Sequence, residues 1–72
     1  MDNNGYILTI TTDCGEVFHR FFHDFSNLTK YVVENNGAEH EEDITESLNW
    51  YSHWRNETNG MDYASDTIDY ED

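Results

Sequence analysis

The chain has 72 residues, with 16 Asp and Glu against three Lys and Arg, and a formal net charge of −13 when its four histidines are neutral. A chain this short forms one small domain with a thin core, which excludes Rossmann folds, barrels and other large enzyme cores. The charge argues against direct nucleic-acid binding, because contacts to phosphates require Lys and Arg. Two Trp, five Tyr and four Phe argue against disorder, since each aromatic side chain can bury about 150–250 Å².

The first predicted elements are two strands of a hairpin. Residues 6–12 are rich in β-branched and aromatic side chains, which suit a strand. Asp13-Cys14-Gly15 predicts the turn, because Asp favours the start of a turn and Gly accepts positive φ. Residues 16–22 form the returning strand. Alternation places Tyr6, Leu8 and Ile10 on one face of the first strand. The core face of the second strand is left open between two sets: Val17, His19 and Phe21, or Phe18, Arg20 and Phe22.

A first helix is predicted after the hairpin. Ser26 is the expected N-cap, because its hydroxyl can accept a hydrogen bond from an amide of the first turn. Leu28, Tyr31 and Val32 then fall on one helical stripe. Asn35-Asn36-Gly37 predicts the end of the helix, since Asn and Gly tolerate the left-handed conformation.

A second helix is predicted to begin between Glu39 and Asp43 and to run to about Asn56, before Asn59-Gly60. The acidic side chains at its start stabilise the helix, because they lie at the positive end of the helix dipole. One stripe of this helix is expected to carry Ile44, Leu48, Tyr51 and Arg55, flanked by Ser47 and Trp54.

Residues 61–70 are compatible with either a strand or a helix. Met61, Ala64 and Ile68 have helical spacing, whereas Tyr63, Thr67 and Tyr70 suit a strand. A third strand would shield one edge of the hairpin, which two strands alone need. The sequence therefore predicts a single α+β domain over residues 1–72: an N-terminal hairpin, two helices and a C-terminal third strand or short helix.

The sequence predicts no metal site, no cofactor and no enzymatic activity. The cysteine and histidine side chains that could bind zinc lack the paired spacing of zinc sites. These residues are Cys14, His19, His23, His40 and His53. The C-terminal acids lack the EF-hand pattern. A nucleophile elbow, a Ser/His/Asp spacing and a glycine-rich phosphate loop are all missing. A single cysteine provides no internal disulfide, and the chain is expected to be cytoplasmic, without membrane association.

The acidic charge is concentrated in the second half of the chain. Eleven of the 16 acids, but only one cation, Arg55, lie in residues 39–72. Glu39, Glu42, Asp43 and Glu46 follow one another at helical spacing, and like-charge pairs of this kind cost roughly 0.2–0.5 kcal/mol each. Thirteen charges equal those on about 22 Å of duplex DNA. The charge therefore indicates steering toward a basic groove, or else a face that only keeps the protein in solution.

In size, net charge and the interleaving of acidic and aromatic residues, the chain resembles small phage-encoded inhibitors that mimic DNA. Examples are anti-restriction proteins, uracil-DNA glycosylase inhibitors and some anti-CRISPR proteins. The resemblance is one of composition, without an aligned motif. The residues that carry it are Glu39, Glu41, Glu42, Asp43, Glu46, Asp66, Asp69, Glu71 and Asp72, interleaved with Tyr63 and Tyr70.

The resemblance implies an inhibitor that occupies the DNA-binding groove of a host or defence enzyme in the host cytoplasm. Its partner would be a basic nucleic-acid-binding protein or complex, with carboxylates in place of phosphates. The partner-binding surface would consist of the eleven residues that carry the resemblance, together with Asp62 and Trp50. Exposed aromatics, among them Trp50, Trp54, Tyr63 and Tyr70, would add anchor area, although core packing is the expectation for at least one tryptophan.

Two other functions remain open at the level of sequence. One is an acidic interaction module, such as an antitoxin, an immunity protein or an adaptor, that binds a basic partner outside its DNA site. It would use edge-strand pairing of residues 6–22. The other is a folded protein whose charge only maintains solubility. A homodimer is a further alternative, which would double the charged length.

Overall fold

A computed structural model describes residues 4–69 of the chain. It contains two helices and four strands, which confirms the predicted α+β class. The elements in chain order are β1 (Asn4–Thr11), β2 (Val17–Phe22), α1 (Phe25–Asn36), a 3₁₀ turn (Ala38–His40), α2 (Glu41–Tyr51), β3 (His53–Arg55) and β4 (Asp62–Asp69). Within residues 4–69, no helix combines the length and the apolar character that crossing a membrane requires.

The four strands form one antiparallel sheet in the order β2-β1-β4-β3. The ambiguous segment of residues 61–70 is therefore a strand as far as Asp69. As a strand, β4 pairs along the whole of β1 and gives β1 a neighbour on both sides. A helix at this position would have left one edge of β1 without hydrogen-bond partners, which is costly for a strand with a buried face.

The register of the hairpin places the larger apolar set of β2 on the core side. Leu8 lies opposite Arg20 and Ile10 opposite Phe18, and side chains of opposed residues point to the same face. Arg20 reaches α1, where its Nε donates a hydrogen bond of 3.1 Å to the Tyr31 hydroxyl. Helix α1 favours this register, because Tyr31 contacts both Arg20 and Phe22. The alternate set, which includes Val17 and Phe21, faces away from the helices.

Helix α1 begins earlier than its sequence predicts. Its N-cap is Asp24 rather than Ser26, and no side chain caps it. The Asp24 carbonyl instead accepts the amides of Asn27 and Leu28, each at 3.2 Å. The helix ends at Asn36, as predicted, where Gly37 adopts a positive φ of 111°.

Helix α2 begins at Glu41, within the predicted interval, but the prediction that it runs to Asn56 is wrong. It ends at Tyr51, because Ser52 adopts the left-handed conformation with φ 56° and ψ 30°. The chain then enters β3, where Trp54 lies opposite Tyr63. The two rings stack with centroids 6.0 Å apart, an arrangement that a continued helix would have prevented.

The core lies between the helices and one face of the sheet. Alternation along each strand and the helical repeat of α1 and α2 bring its members together. They are Leu8, Ile10, Leu28, Val32, Ile44, Leu48, Trp54 and Tyr63. The opposite face of the sheet carries no covering element from the described residues.

Candidate interaction surfaces

The acids predicted at the start of the second helix do form one exposed surface. Glu41, Glu42 and Asp43 occupy the first turn of α2, where its dipole favours negative charge. Glu39, Glu41 and Glu42 line one depression, Asp43, Trp50 and Tyr51 line a second, and Glu46 lines both. We call this continuous region the acidic α2 surface; it consists of Glu39, Glu41, Glu42, Asp43, Glu46, Trp50 and Tyr51.

Two large aromatic side chains lie at the end of this surface. Trp50 is 76% exposed and Tyr51 is 77% exposed. Trp50 was expected to be an exposed aromatic, and it is one. Tyr51 was placed on one stripe with Ile44 and Leu48, but it is not buried with them, because it is the last residue of α2 and Trp54 enters the core from β3 instead.

Asp43 differs from its acidic neighbours because it has an internal partner. Its Oδ2 accepts a hydrogen bond of 2.8 Å from the indole Nε1 of Trp54. Trp54 is buried, so this bond satisfies a polar group that would otherwise be costly to bury. Asp43 therefore joins α2 to β3, whereas Glu42 and Glu46 project from the helix without such a bond.

The predicted acids of the last segment lie on a different surface. Asp62 and Asp66 alternate with Tyr63 along β4 and therefore face the side of the sheet that the helices leave uncovered. Asp62 accepts a hydrogen bond from His53 Nε2 at 2.5 Å. The structure thus divides the predicted acidic set between opposite sides of the molecule, and Asp69 ends β4.

Tyr63 is placed differently from its predicted role. It is only 2% exposed and belongs to the core, so the expectation that its ring is available to a partner is wrong. The cause is its position in β4, opposite both Ile10 and Trp54. Trp54 is buried as well, which confirms core packing for one tryptophan. Tyr70, Glu71 and Asp72 lie outside the described residues.

The carboxylates of the acidic α2 surface have no fixed cation beside them. Between Gly5 and Ile68, no Lys or Arg forms a salt bridge; Glu39 pairs with His40 at 3.9 Å, and Asp62 pairs with His53. Arg20 instead lies over the Tyr31 ring, 5.2 Å from its centroid. The negative field of α2 is therefore not neutralised within this part of the chain.

A second candidate surface is the outer edge of the sheet. Edge-strand pairing was predicted for residues 6–22, but β1 is paired on both sides, so only β2 offers an edge. Val17, Phe18 and Phe21 are each more than half exposed on this strand. The sequence signal for this edge is the concentration of one Val and three Phe in residues 17–22, a stretch that contains no acid.

The chemistry of the remaining polar groups adds no further site. Among residues 5–68, no three His, Cys, Asp or Glu side chains are arranged to hold a metal ion. Cys14 is exposed at the hairpin turn. A hydrogen bond from the Thr12 hydroxyl, followed by one from the Glu16 backbone, lowers the pKa of the Cys14 thiol from its ordinary value.

The two candidate surfaces lie at opposite ends of the sheet, because α2 packs beside β3 whereas β2 is the other edge. One surface is acidic and aromatic, and the other is apolar and free of acids. Comparisons with protein-family models, with curated proteins and with solved structures found no match.

Proposed function

We propose that this protein is an inhibitor that mimics DNA and occupies the basic groove of a nucleic-acid-binding protein. The observation that carries the proposal is the acidic α2 surface: five exposed carboxylates, none salt-bridged to Lys or Arg, beside two exposed aromatic rings. A surface of this kind binds Lys and Arg through charge-assisted hydrogen bonds, in the way that phosphates do.

The density of charge on this surface supports mimicry of DNA. Its five acids fall within residues 39–46, which occupy about 11 Å of helix axis at a rise of about 1.5 Å per residue. Duplex DNA carries about six charges over the same length. The footprint is therefore shorter than the 22 Å that the net charge alone suggests, because Asp62 and Asp66 lie on the other side of the sheet.

Trp50 and Tyr51 supply the anchor that carboxylates alone lack. Exposed carboxylates steer a basic partner into contact but add little net affinity, since desolvation offsets much of the attraction. Trp and Tyr are enriched among the residues that dominate binding energy. The indole of Trp50 also offers a face on which an Arg guanidinium from the DNA groove can stack.

The test compares two variants with the same net charge. Glu42→Lys with Glu46→Lys alters the acidic α2 surface, and Asp66→Lys with Glu57→Lys is the matched control on other exposed positions. Asp43 is left intact because it bonds Trp54. Immobilised protein is exposed to bacterial lysate, and the retained nucleic-acid-binding protein is then purified for affinity measurements.

The α2 variant should lose binding by a factor of about 100 or more, whereas the control variant should stay within a few-fold of the unmodified protein. Trp50→Ala should weaken binding by about tenfold or more without unfolding the exposed helix face. Excess duplex DNA and high salt should both release the partner. A partner that stays bound through excess duplex DNA would show that the protein is not a DNA mimic.

A second candidate function is supported by the β2 edge. An antitoxin, immunity protein or adaptor could pair a strand of its target with β2 through main-chain hydrogen bonds. This function predicts a partner that duplex DNA does not displace. The same partner should bind the variant with Glu42→Lys and Glu46→Lys as tightly as the unmodified protein. The same pull-down therefore separates the two functions.

A further inference from the structure

We propose that two copies of this chain pair through their β2 edges, as antiparallel strands centred on His19, to form a two-fold symmetric dimer with one continuous eight-stranded sheet. This dimer does not depend on the proposed inhibitory function, because it uses the edge of the sheet remote from the acidic α2 surface.

The first observation is the exposure of large apolar side chains along β2. Val17 is 54% exposed, Phe18 is 52% exposed and Phe21 is 60% exposed. In the described part of the chain, the other large apolar side chains with such exposure are Trp50 and Tyr51 on α2. Val17 and Phe21 lie on the uncovered face of the sheet and Phe18 on the helix side, so this edge exposes large apolar side chains on both faces. Exposed apolar area of this kind indicates an interaction surface.

The second observation is that no element of residues 4–69 covers this edge. Natural edge strands are commonly protected by proline, a bulge, an outward lysine or very short length. The chain has no proline, and β2 pairs with β1 over all six residues without a bulge. Arg20, the one cation of the strand, is directed toward Tyr31. The opposite edge is shared by β3, which has only three residues, and by the part of β4 that β3 does not pair, where Asp66 is exposed.

The alternation of hydrogen-bonded and non-hydrogen-bonded pairs between β1 and β2 identifies the backbone groups of β2 that face outward. The Thr12 amide donates to the Glu16 carbonyl at 2.8 Å, so this pair is a hydrogen-bonded one. Hydrogen-bonded and non-hydrogen-bonded pairs alternate along an antiparallel ladder. The amides and carbonyls of Val17, His19 and Phe21 therefore point away from β1 and are available to a further strand.

A pairing centred on His19 uses all three of these residues. It sets Val17 opposite Phe21 of the second copy, and by symmetry it repeats this apolar contact on the other side of the axis. On the helix side it sets Phe18 opposite Arg20 of the second copy, where the Phe18 ring can pack against the aliphatic stem of that side chain. Moving the centre to Arg20 would oppose two like charges, which is destabilising.

The distribution of charge favours a second copy over a basic partner. Two chains of net charge −13 repel each other unless they meet where acids are absent. Residues 17–23 contain no acid, and Arg20 adds one positive charge. A basic partner would find no carboxylate on this strand. Self-pairing therefore occurs where repulsion is weakest, and salt at physiological strength screens charges beyond about 8 Å.

The test measures mass against concentration for the unmodified protein and two variants. Phe21→Lys places a charge in the proposed interface, and Tyr51→Lys makes the same change at an exposed aromatic on α2. Sedimentation equilibrium should show the mass rising from 8.5 kDa toward twice that value as concentration increases. Phe21→Lys should raise the dissociation constant by about tenfold or more, and Tyr51→Lys should leave it unchanged.

Circular dichroism should show that both variants remain folded, since both side chains are exposed. A protein that stays monomeric up to millimolar concentration would overturn the dimer. Equal weakening by the two lysine variants would also overturn it, because general charge effects would then explain the result.

The register is tested by cross-linking in a Cys14→Ser background. His19→Cys places two thiols across the two-fold axis, where opposed hydrogen-bonded residues have Cα atoms about 5.5 Å apart, within the range for a disulfide. Oxidation should give a covalent dimer on a non-reducing gel. Asn49→Cys, at an exposed position of α2, should not cross-link. Absence of the His19→Cys product, or equal cross-linking from both variants, would refute the centred register.

Discussion

At the scale of single residues, Asn56 is the polar residue that the described part of the chain buries most fully. It is 4% exposed, and its amide donates to Asn36 Oδ1 at 2.9 Å. Its own Oδ1 accepts the backbone amide of Thr58 at 2.8 Å. One side chain therefore holds the turn between β3 and β4 and joins it to the end of α1, at a position where the sequence predicts the end of a helix.

Asn56→Ala should lower the free energy of unfolding by about 2 kcal/mol, because the Asn36 side chain and the Thr58 amide lose a half-buried hydrogen-bond partner. Urea unfolding followed by circular dichroism measures this change. Asn49→Ala, at an exposed position of α2, is the control and should change stability by less than about 0.5 kcal/mol. Equal effects from the two substitutions would contradict the role assigned to Asn56.

At the scale of elements, the end of α2 decides how the second half of the chain folds. Ser52 closes the helix with its amide on the Leu48 carbonyl at 3.1 Å, and its own carbonyl accepts the Ser65 amide at 2.8 Å. Both bonds come from the backbone. The left-handed conformation costs a residue with a Cβ about 1–2 kcal/mol, so hydrogen bonding to β4 stabilises a turn that the local sequence disfavours.

Ser52→Gly should raise the free energy of unfolding by about 0.5–1 kcal/mol, since glycine adopts a positive φ without strain and keeps both backbone bonds. The gain is smaller than the strain because glycine also increases the entropy of the unfolded chain. Ser52→Ala retains the Cβ and should bring no gain. Chemical unfolding of the three proteins under one condition gives the comparison. A more stable alanine variant would mean that Ser52 is not strained.

At the scale of the whole molecule, self-repulsion is the dominant electrostatic feature. The net charge is −13, and in the part of the chain that the structure describes no carboxylate is salt-bridged to Lys or Arg. The molecule measures 40 × 26 × 19 Å, so its charges repel across distances that low salt does not screen.

Raising NaCl from about 10 mM to about 500 mM shortens the screening length from about 30 Å to a few ångströms and should stabilise the fold. A gain of about 1 kcal/mol corresponds to a rise in Tm of roughly 4–8 °C for a domain of this size. Scanning calorimetry at constant protein concentration measures it. Glu42→Lys with Glu46→Lys should show a smaller rise. A Tm that falls with salt would show that attraction, not repulsion, dominates.

The local sequence was sufficient to predict the structural features that depend on a few neighbouring residues. The turn at Asp13-Cys14-Gly15 and the end of α1 at Gly37 follow from residues that tolerate turn geometry. The start of α2 and the acidic cluster on it were also predictable, because helical spacing brings the carboxylates to one region. The exposed Trp50 of the candidate site belongs to this group.

Only the tertiary structure decided features that depend on distant partners. The two registers of β2 differ by which face meets α1, and β4 is a strand because β1 and β3 both pair with it. The same pairing buries Tyr63, turns Asp62 and Asp66 to the opposite side from α2, and leaves β2 as the long edge. Periodicity of 2 or 3.6 residues reports which side chains share a face, whereas contacts between elements determine which face is buried.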